Sequence, residues 1–424
     1  MLLAVILLPF ALVAAASPAS AETCFAGTAE LGCISGTIRT EVDVVEGVDV
    51  NVTGPGGFDE TATSDDRGKW SVTVTEPGEY TATIDEETLP KNVGVTGNEG
   101  SVKVTITNLS QGKAVAFGVR TGDYSAAVST TDRIIRSTFS GLRLGLLLAL
   151  ASIGLSLIYG TTGLSNFAHA ELVTLGGMLG YMVVNQWGVN AWLGCAFVVV
   201  VAGAFGYAQD RVIWQPLRRR GLGLAQMMIV TIGLALSLQY TYQYFIASDT
   251  VKIVLNEPAP RALGPIAYNL FDVMAMVISI VVIAGVGYAL LRTRIGRATR
   301  AVSDNPALAS ASGIDVDKVI RLVWTVSAAL AGLSGILYSL VIQHGMRWDS
   351  GLQILLLLFA AVTLGGLGTA FGALVGSLII GLVVELAPVF GAPGDLKYAS
   401  ALLILILLLL VRPQGILGRP ERVG

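Results

Sequence analysis

Charged residues are scarce in this chain, and metal-ligating residue types are scarcer. Asp, Glu, Lys and Arg make up 13% of its 424 residues, whereas a soluble globular protein carries about 25%. There are two histidines, His169 and His344, and three cysteines. These numbers argue against a multi-ligand zinc or haem site, so we expect no metal. No Gly-x-x-x-x-Gly-Lys-Ser/Thr loop occurs in the sequence, so we expect the chain not to hydrolyse ATP itself.

Long apolar stretches take the place of charge. The chain is 53% hydrophobic and has 50 glycines, which suit close helix packing in lipid. Because a full span needs about 20 residues, the pattern predicts an all-α polytopic membrane protein with about eight or nine segments. Two segments are short, and one or both are expected to be tilted, broken or partial. The nine are about 139–159, 168–186, 191–213, 224–246, 271–291, 321–343, 353–366, 369–389 and 398–411, of which 353–366 and 398–411 are the short ones.

The N-terminal part has a different pattern. Residues 1–21 resemble a signal peptide, with an apolar run and an A-x-A cleavage signal at Ala19–Ala21. No Lys or Arg precedes the run, so an upstream start and an uncleaved anchor both stay open. Residues 22–120 alternate with period two between turn signals, which predicts a small extracytoplasmic β-sandwich. We expect a disulfide between Cys24 and Cys33 in this exported part. A linker (121–137) and a transmembrane domain (138–424) follow; the expected strands are 42–45, 48–53, 70–75, 80–84 and 102–107.

Positive charge predicts the orientation of the membrane part. With the β-domain outside and nine crossings, the short outer loops hold Lys252, Arg261, Arg347 and Lys397. The opposite side holds more basic residues, which is the cytoplasmic bias of membrane proteins, and this orientation puts the C-terminus in the cytoplasm. The cytoplasmic set is Arg211, Arg218, Arg219, Arg220, Arg292, Arg294, Arg297, Arg300, Lys318, Arg321, Arg412, Arg419 and Arg422.

A polar segment, 292–318, separates two apolar ones. Asp304 or Asn305 is suited to cap a short helix, Pro306 suits its first position, and Gly313 suits its end. A small helix beside arginines at a membrane face indicates a docking element for a partner. The alternative without a docking role is a loop helix that lies on the membrane.

The membrane part resembles the permease subunits of ABC importers for branched-chain amino acids, a family that also includes urea permeases. The resemblance covers about 280 residues, from Ser140 to the end. The β-domain is outside the usual permease and resembles the carboxypeptidase regulatory-like, transthyretin-like sandwich. The motifs of the permease resemblance are Ile158–His169 with Glu171, Gly296–Ala301 through Gly313, Gly365–Gly376 and Arg412–Gly418.

The resemblance implies a division of labour. Two permease subunits, identical or homologous, form the pathway, two separate ATPase subunits bind ATP, and an extracytoplasmic binding protein delivers substrate; nucleic acid is not an expected partner. The family's coupling helix, which contacts the ATPase, falls on the polar segment. The acidic residue of the importer-wide pattern Glu-Ala-Ala-x-x-x-Gly is absent, and Ala307 stands there. The carried-over positions are Asp304, Asn305, Pro306, Ala307, Ala309 and Gly313.

Several polar residues within or beside apolar segments are candidates for the pathway. Asn166, His169 and Glu171 lie between the first two segments, where we expect them near the cytoplasmic surface; they either cap the second helix or form a gate. Gln239 and Gln243 share one helix face and either line a polar path or hydrogen-bond across helices. Asp210 and Arg211 are a candidate ion pair.

The sequence therefore predicts a permease subunit of an ATP-driven importer in the bacterial plasma membrane, for branched-chain or related amino acids. A urea or amide permease is an alternative substrate class, and an ATP-independent channel or secondary transporter is an alternative mechanism. A membrane-anchored adhesion or sensor protein would need fewer apolar segments. An enzyme is not expected, because no catalytic residue set accompanies the intramembrane histidine and glutamate.

Overall fold

The computed structural model describes two compact units, one β-rich and one helical. The predicted signal peptide and Cys24 lie outside the described residues. Those residues are 32–40, 44–90, 93–95, 100–106, 109, 112–121, 130–246, 251, 253, 261–342, 346–411 and 414–418.

The described β-rich unit contains two larger sheets around one core, as the period-two alternation predicts, and a two-stranded sheet of β6 and β9. One sheet has the order β4-β1-β8 and the other β3-β2-β5-β7. Ile34 and Val72 of the first sheet share a core with Val50 and Ala82 of the second. The strands are β1 Gly32–Thr37, β2 Asp49–Thr53, β3 Asp59–Thr63, β4 Lys69–Val74, β5 Gly78–Ile84, β6 Val93–Val95, β7 Ser101–Ile106, β8 Gly112–Val115 and β9 Val119–Thr121.

Two expectations for this unit meet the limits of the described residues. Cys33 is buried in β1 and disulfide-bonded, but its predicted partner Cys24 is outside them, so the pairing stays a prediction. Of the expected strand 42–45, Val44 is described and forms an isolated bridge with Arg39.

The second unit is helical. Six described helical runs are long and apolar enough to cross a membrane, and α10 and α12 are shorter apolar helices, so the predicted eight or nine segments are approximate. The helices are α1 Thr130–Thr162, α2 His169–Tyr181, α3 Ala191–Gln209, α4 Gln215–Arg219, α5 Leu224–Ile246, α6 Leu270–Arg292, α7 Arg294–Asp304, α8 Pro306–Ala311, α9 Val316–Val341, α10 Ser350–Gly365, α11 Ala370–Leu386 and α12 Lys397–Val411, with a hairpin, β10 Arg261–Leu263 and β11 Ile266–Tyr268, before α6.

The first helix starts earlier than its apolar run. Helix α1 begins at Thr130, inside the predicted linker and before the expected start of the span at about 139. Hydrophobicity marks where a helix enters lipid and not where its backbone hydrogen bonds begin, so the polar first turns were not counted. Arg136 in these turns donates from Nε to the carbonyl oxygen of Pro265 at 2.6 Å.

Glycines let the central helices touch backbone to backbone. Gly176 of α2 lies against Gly332 of α9, and a Cβ at Gly335 would clash with the carbonyl oxygen of Val173. Ser334 also donates from Oγ to the carbonyl oxygen of Leu147 in α1 at 2.7 Å. Close approach of small residues is a main source of helix association in lipid.

The expected pair between Asp210 and Arg211 is wrong. Asp210 is fully buried, and its oxygens lie 2.8 Å from Arg218 Nη2 and 3.4 Å from Arg321 Nε. Arg211 instead donates to Gln215 at 3.2 Å. Consecutive residues point about 100° apart on a helix, so their side chains do not face each other.

Candidate functional site

Helix α2 begins inside the helical unit. Nε2 of His169, its first residue, lies 3.0 Å from the carbonyl oxygen of Ala151. Ala151 precedes the end of α1 by about three turns, or roughly 16 Å of helix. Residues 163–168 therefore return along α1 before α2 starts. The second apolar segment is a helix that starts at depth, with its positive dipole end among the other helices.

Three polar side chains gather at this buried helix start. Asn166 and His169 are fully buried and Glu171 is 4% exposed, so their expected position near the surface is wrong: the chain turns back into the bundle before α2 begins. In the turn before α2, Asn166 Oδ1 accepts from the Ala168 backbone N–H at 3.1 Å. One buried atom of each of these three side chains has no hydrogen-bond partner among the described residues: Asn166 Nδ2, His169 Nδ1 and Glu171 Oε2.

Helices α5 and α10 flank this polar cluster. The Tyr242 hydroxyl of α5 donates to the backbone carbonyl of Glu171 at 2.8 Å, and Thr231 Oγ1 accepts from the Phe167 N–H at 3.2 Å. On the other side, Gly351 at the start of α10 lies against the Glu171 carboxylate, where a Cβ would clash. Two helix starts, those of α2 and α10, therefore meet at Glu171.

A backbone bridge lies further along α2. Val251, after α5, and Met346, after α9, exchange two hydrogen bonds at 2.9 and 2.8 Å. Both side chains are buried; Met346 packs against Gly177, and the neighbouring Ile253 packs against Gly180. We call Val251, Ile253 and Met346 the strap, because they join two interhelical connections across α2.

The glutamine candidates do not join the polar cluster by hydrogen bonds. Gln239 and Gln243 are half-buried on α5, and neither side chain makes a hydrogen bond to another described residue. Tyr242, which the sequence analysis did not single out, is the α5 residue that bonds to the cluster. Its spacing of four residues from Leu238, which puts both side chains on one helix face, is the sequence signal that could have identified it.

The polar segment folds into two short helices. Asn305, not Asp304, caps α8: its Oδ1 accepts from the Leu308 N–H at 3.0 Å, and Asp304 ends α7. Pro306 is the first residue of α8, and Gly313 follows with a φ of +83°, a left-handed conformation that favours glycine. Asp315 then caps α9, and its hydrogen bond to Lys318 lowers the pKa of the Asp315 carboxyl.

The outward face of α8 differs from the expected one. Ala309 is 3% exposed and belongs to the chain's own core, so it offers little surface to a separate ATPase, and its expected contact stays a prediction. Because side chains repeat every 3.6 residues around a helix, Ala309 faces the core of the helical unit while its neighbour Leu308 faces outward. Leu308 is 64% exposed and lies beside exposed Ala307 and Ser310.

The sequence motifs converge at this end of the helical unit. Ser303 donates from Oγ to the carbonyl oxygen of Gly160 at 2.6 Å, and Gly160 lies against Gly368. Leu417 donates from its N–H to the carbonyl oxygen of Gly365 at 2.9 Å. Positive charge surrounds the contact, since four arginines of α6 and α7 are exposed: Arg292, Arg294, Arg297 and Arg300.

Comparison with known proteins gives consistent matches over the helical unit. The profile of the family described as branched-chain amino acid transport system / permease component matches residues 137–411. The high-affinity branched-chain amino acid transport system permease protein BraD of Pseudomonas aeruginosa is 31% identical over 306 residues, 68% of this chain and 96% of the relative. LivH of Escherichia coli K12, with the same description, is 29% identical over 303 residues, 68% and 96%. A probable branched-chain amino acid transport permease protein LivH of Methanocaldococcus jannaschii is 31% identical over 284 residues, 64% and 89%.

Proposed function

The chain belongs to the family of branched-chain amino acid transport system permease components, and from this premise we propose that it is the membrane-spanning subunit of an ATP-driven importer of branched-chain amino acids. The relatives named above are described as permeases for these substrates, and the family profile matches residues 137–411, most of the helical unit. A urea substrate has no support among them.

We propose that α8 is the element that couples this subunit to its ATPases. The observation that carries the proposal is Leu308: an exposed leucine on a capped helix, beside four exposed arginines, at the end where the family motifs converge. An exposed apolar side chain with a polar and charged rim is typical of a protein contact. Two ATPase subunits would bind here, one on each of two permeases.

The same proposal sets the orientation. Basic residues concentrate at the α7–α8 end, which favours the cytoplasm for that end, with the β-rich unit and the strap on the outer side. An extracytoplasmic binding protein would then deliver the amino acid from the side of the strap. ATP would be bound by the partner subunits, because this sequence has no phosphate-binding loop.

Replacing Leu308→Asp tests the coupling surface. We expect copurification of the ATPase to fall at least ten-fold, about the effect of losing 1.4 kcal/mol of binding, with ATP-driven leucine uptake lost in parallel. Leu263→Asp is the matched control, since Leu263 is 68% exposed in the β10–β11 hairpin and lies far along the chain from α8.

Normal ATPase association and uptake in Leu308→Asp would refute α8 as the coupling element. Uptake by the purified chain without any ATPase would instead favour a channel or secondary transporter, and transport of urea with no branched-chain amino acid uptake would change the substrate class. Ala309→Arg is unsuitable here, because a charge at a core position would unfold the chain for reasons unrelated to coupling.

A further inference from the structure

Glu171 is a buried carboxylate without a cation. Among the residues that the structure describes, no Lys, Arg or His lies within ion-pair distance of it. Other carboxylates of the helical unit have such partners: Asp210 has Arg218, Asp272 has Arg143 at 2.7 Å, and Asp349 has Arg347 at 3.2 Å. An uncompensated buried charge costs several kcal/mol, so Glu171 needs a proton or a mobile cation.

The neighbouring atoms favour a cation with N–H donors. The carbonyl oxygen of Ala151 only accepts, so His169 Nε2 carries the hydrogen in that contact, and Nδ1 of the neutral ring is an acceptor. Glu171 Oε2 and His169 Nδ1 are thus two buried acceptors without partners. Across the described residues, no group of three or more His, Cys, Asp and Glu could hold a metal ion. Residues two apart on a helix do not face each other, so the acceptor offered to an ammonium group, with its three N–H donors, is the Glu171 carboxylate.

The helix start also offers a place for negative charge. Asn166 Nδ2 is a buried donor without a partner, and it lies beside the positive dipole end of α2. Broken membrane helices of transporters direct such ends at anionic substrate groups. An α-amino acid carries its ammonium and carboxylate groups on the same carbon atom, and residues 166–171 supply acceptors and a donor close together in the chain.

We propose that the Glu171 carboxylate is the subsite for the ammonium group of the amino acid on its way through the membrane. The inference rests on the proposed function for the identity of the substrate. Asn166 and the start of α2 face the substrate carboxylate, and the strap closes the route further along α2. The Glu171 carboxylate packs directly against the backbone of Gly351. Because glycine has no side chain, this contact holds the carboxylate in place.

Ligand stabilisation of the purified permease–ATPase complex tests the subsite without the binding protein. The probes are leucine, 3-methylbutylamine, which has only the ammonium, and 4-methylpentanoate, which has only the carboxylate. A ligand that binds the native state raises the unfolding midpoint. We expect leucine and the amine to raise it by about 2–4 °C and the carboxylate probe to have less effect.

Glu171→Gln should raise the half-saturating amine concentration at least ten-fold, as expected from losing a charged hydrogen-bond partner, and should lower ATP-driven leucine uptake by a similar factor. Asp132→Asn is the matched control, because Asp132 lies in the first turn of α1, about 28 Å along that helix from Ala151. Gly351→Ala keeps the charge but displaces the carboxylate, and we expect the same loss of amine binding.

An unchanged amine response in folded Glu171→Gln and Gly351→Ala would overturn the subsite and leave the importer assignment in place. If Glu171→Gln does not fold, the response of Gly351→Ala decides. The amine could also raise the unfolding midpoint only when Glu171 is present, in a complex that imports no branched-chain amino acid. That outcome would support the subsite and refute the proposed function.

Discussion

Arg218 and Arg219 are adjacent residues at the end of α4 in very different environments. Arg218 is 17% exposed at the side chain and pairs with fully buried Asp210. Arg219 is 66% exposed and pairs with Asp317 at 3.0 Å. Removing one partner of a buried pair costs about 3–5 kcal/mol, whereas an exposed pair contributes about 0–1 kcal/mol.

Arg218→Met should therefore lower the free energy of unfolding of the purified protein much more than Arg219→Met, which serves as its control. Thermal unfolding in detergent, followed by size-exclusion recovery, measures the difference. Adding Asp210→Asn should restore part of the loss, because it removes a buried carboxylate that has lost the nearer of its two arginines and keeps only Arg321, at 3.4 Å. Equal destabilisation by the two arginine variants would contradict the assigned pairing.

The sequence shows which residues are costly to bury but not which partner they find. Asp210 was recognisable as an ionisable residue at the end of an apolar run, while Arg321 is more than a hundred residues away and reaches it only through the packing of α9. Ala309 shows the same limit: apart from Leu308, the residues of α8 are Pro, Ala and Ser, so the sequence does not show which methyl group turns inward when the helix docks.

At the scale of elements, the lengths of the apolar segments predicted most helices, but they did not predict how far inside the helical bundle each helix begins. The segment 353–366 was recognisable as short, and the structure gives α2 and α10 close to the predicted limits of 168–186 and 353–366. That both helices start beside Glu171 depends on the return of residues 163–168 along α1, which hydropathy does not encode. The strap could not be predicted from the sequence either, because a bridge between two single residues has no repeating pattern of apolar and polar positions.

The strap can be locked by a disulfide. Directly opposed residues that exchange both hydrogen bonds have Cα atoms about 5.5 Å apart, within the range that a disulfide spans. We expect oxidised Val251→Cys/Met346→Cys, in a Cys195→Ala background, to lose ATP-driven leucine uptake and to regain it on reduction. Each single cysteine variant is the control, and mass spectrometry verifies the bond. Full uptake by the cross-linked protein would exclude movement of the strap during transport.

At the scale of the molecule, the two units have separate hydrophobic cores, as the change in sequence pattern predicted. Deleting residues 24–120 should therefore leave the thermal unfolding of the helical unit unchanged. Leucine uptake should also persist if the β-rich unit is a spacer. Loss of uptake with normal membrane insertion would instead make that unit a docking site for the binding protein; both outcomes are read from the same reconstituted vesicles.

The strap also bears on how fast solute would leak back through the permease, because that rate depends on the fraction of molecules in which the strap is open. Two backbone hydrogen bonds contribute about 1–3 kcal/mol net, and burying Val251 and Met346 adds about 1.5–3 kcal/mol each. At about 1.4 kcal/mol for each factor of ten, fewer than roughly one molecule in a thousand would have this closure open at rest. An importer working against a gradient needs such a resting state, because an opening that formed spontaneously would return the accumulated solute to the outside.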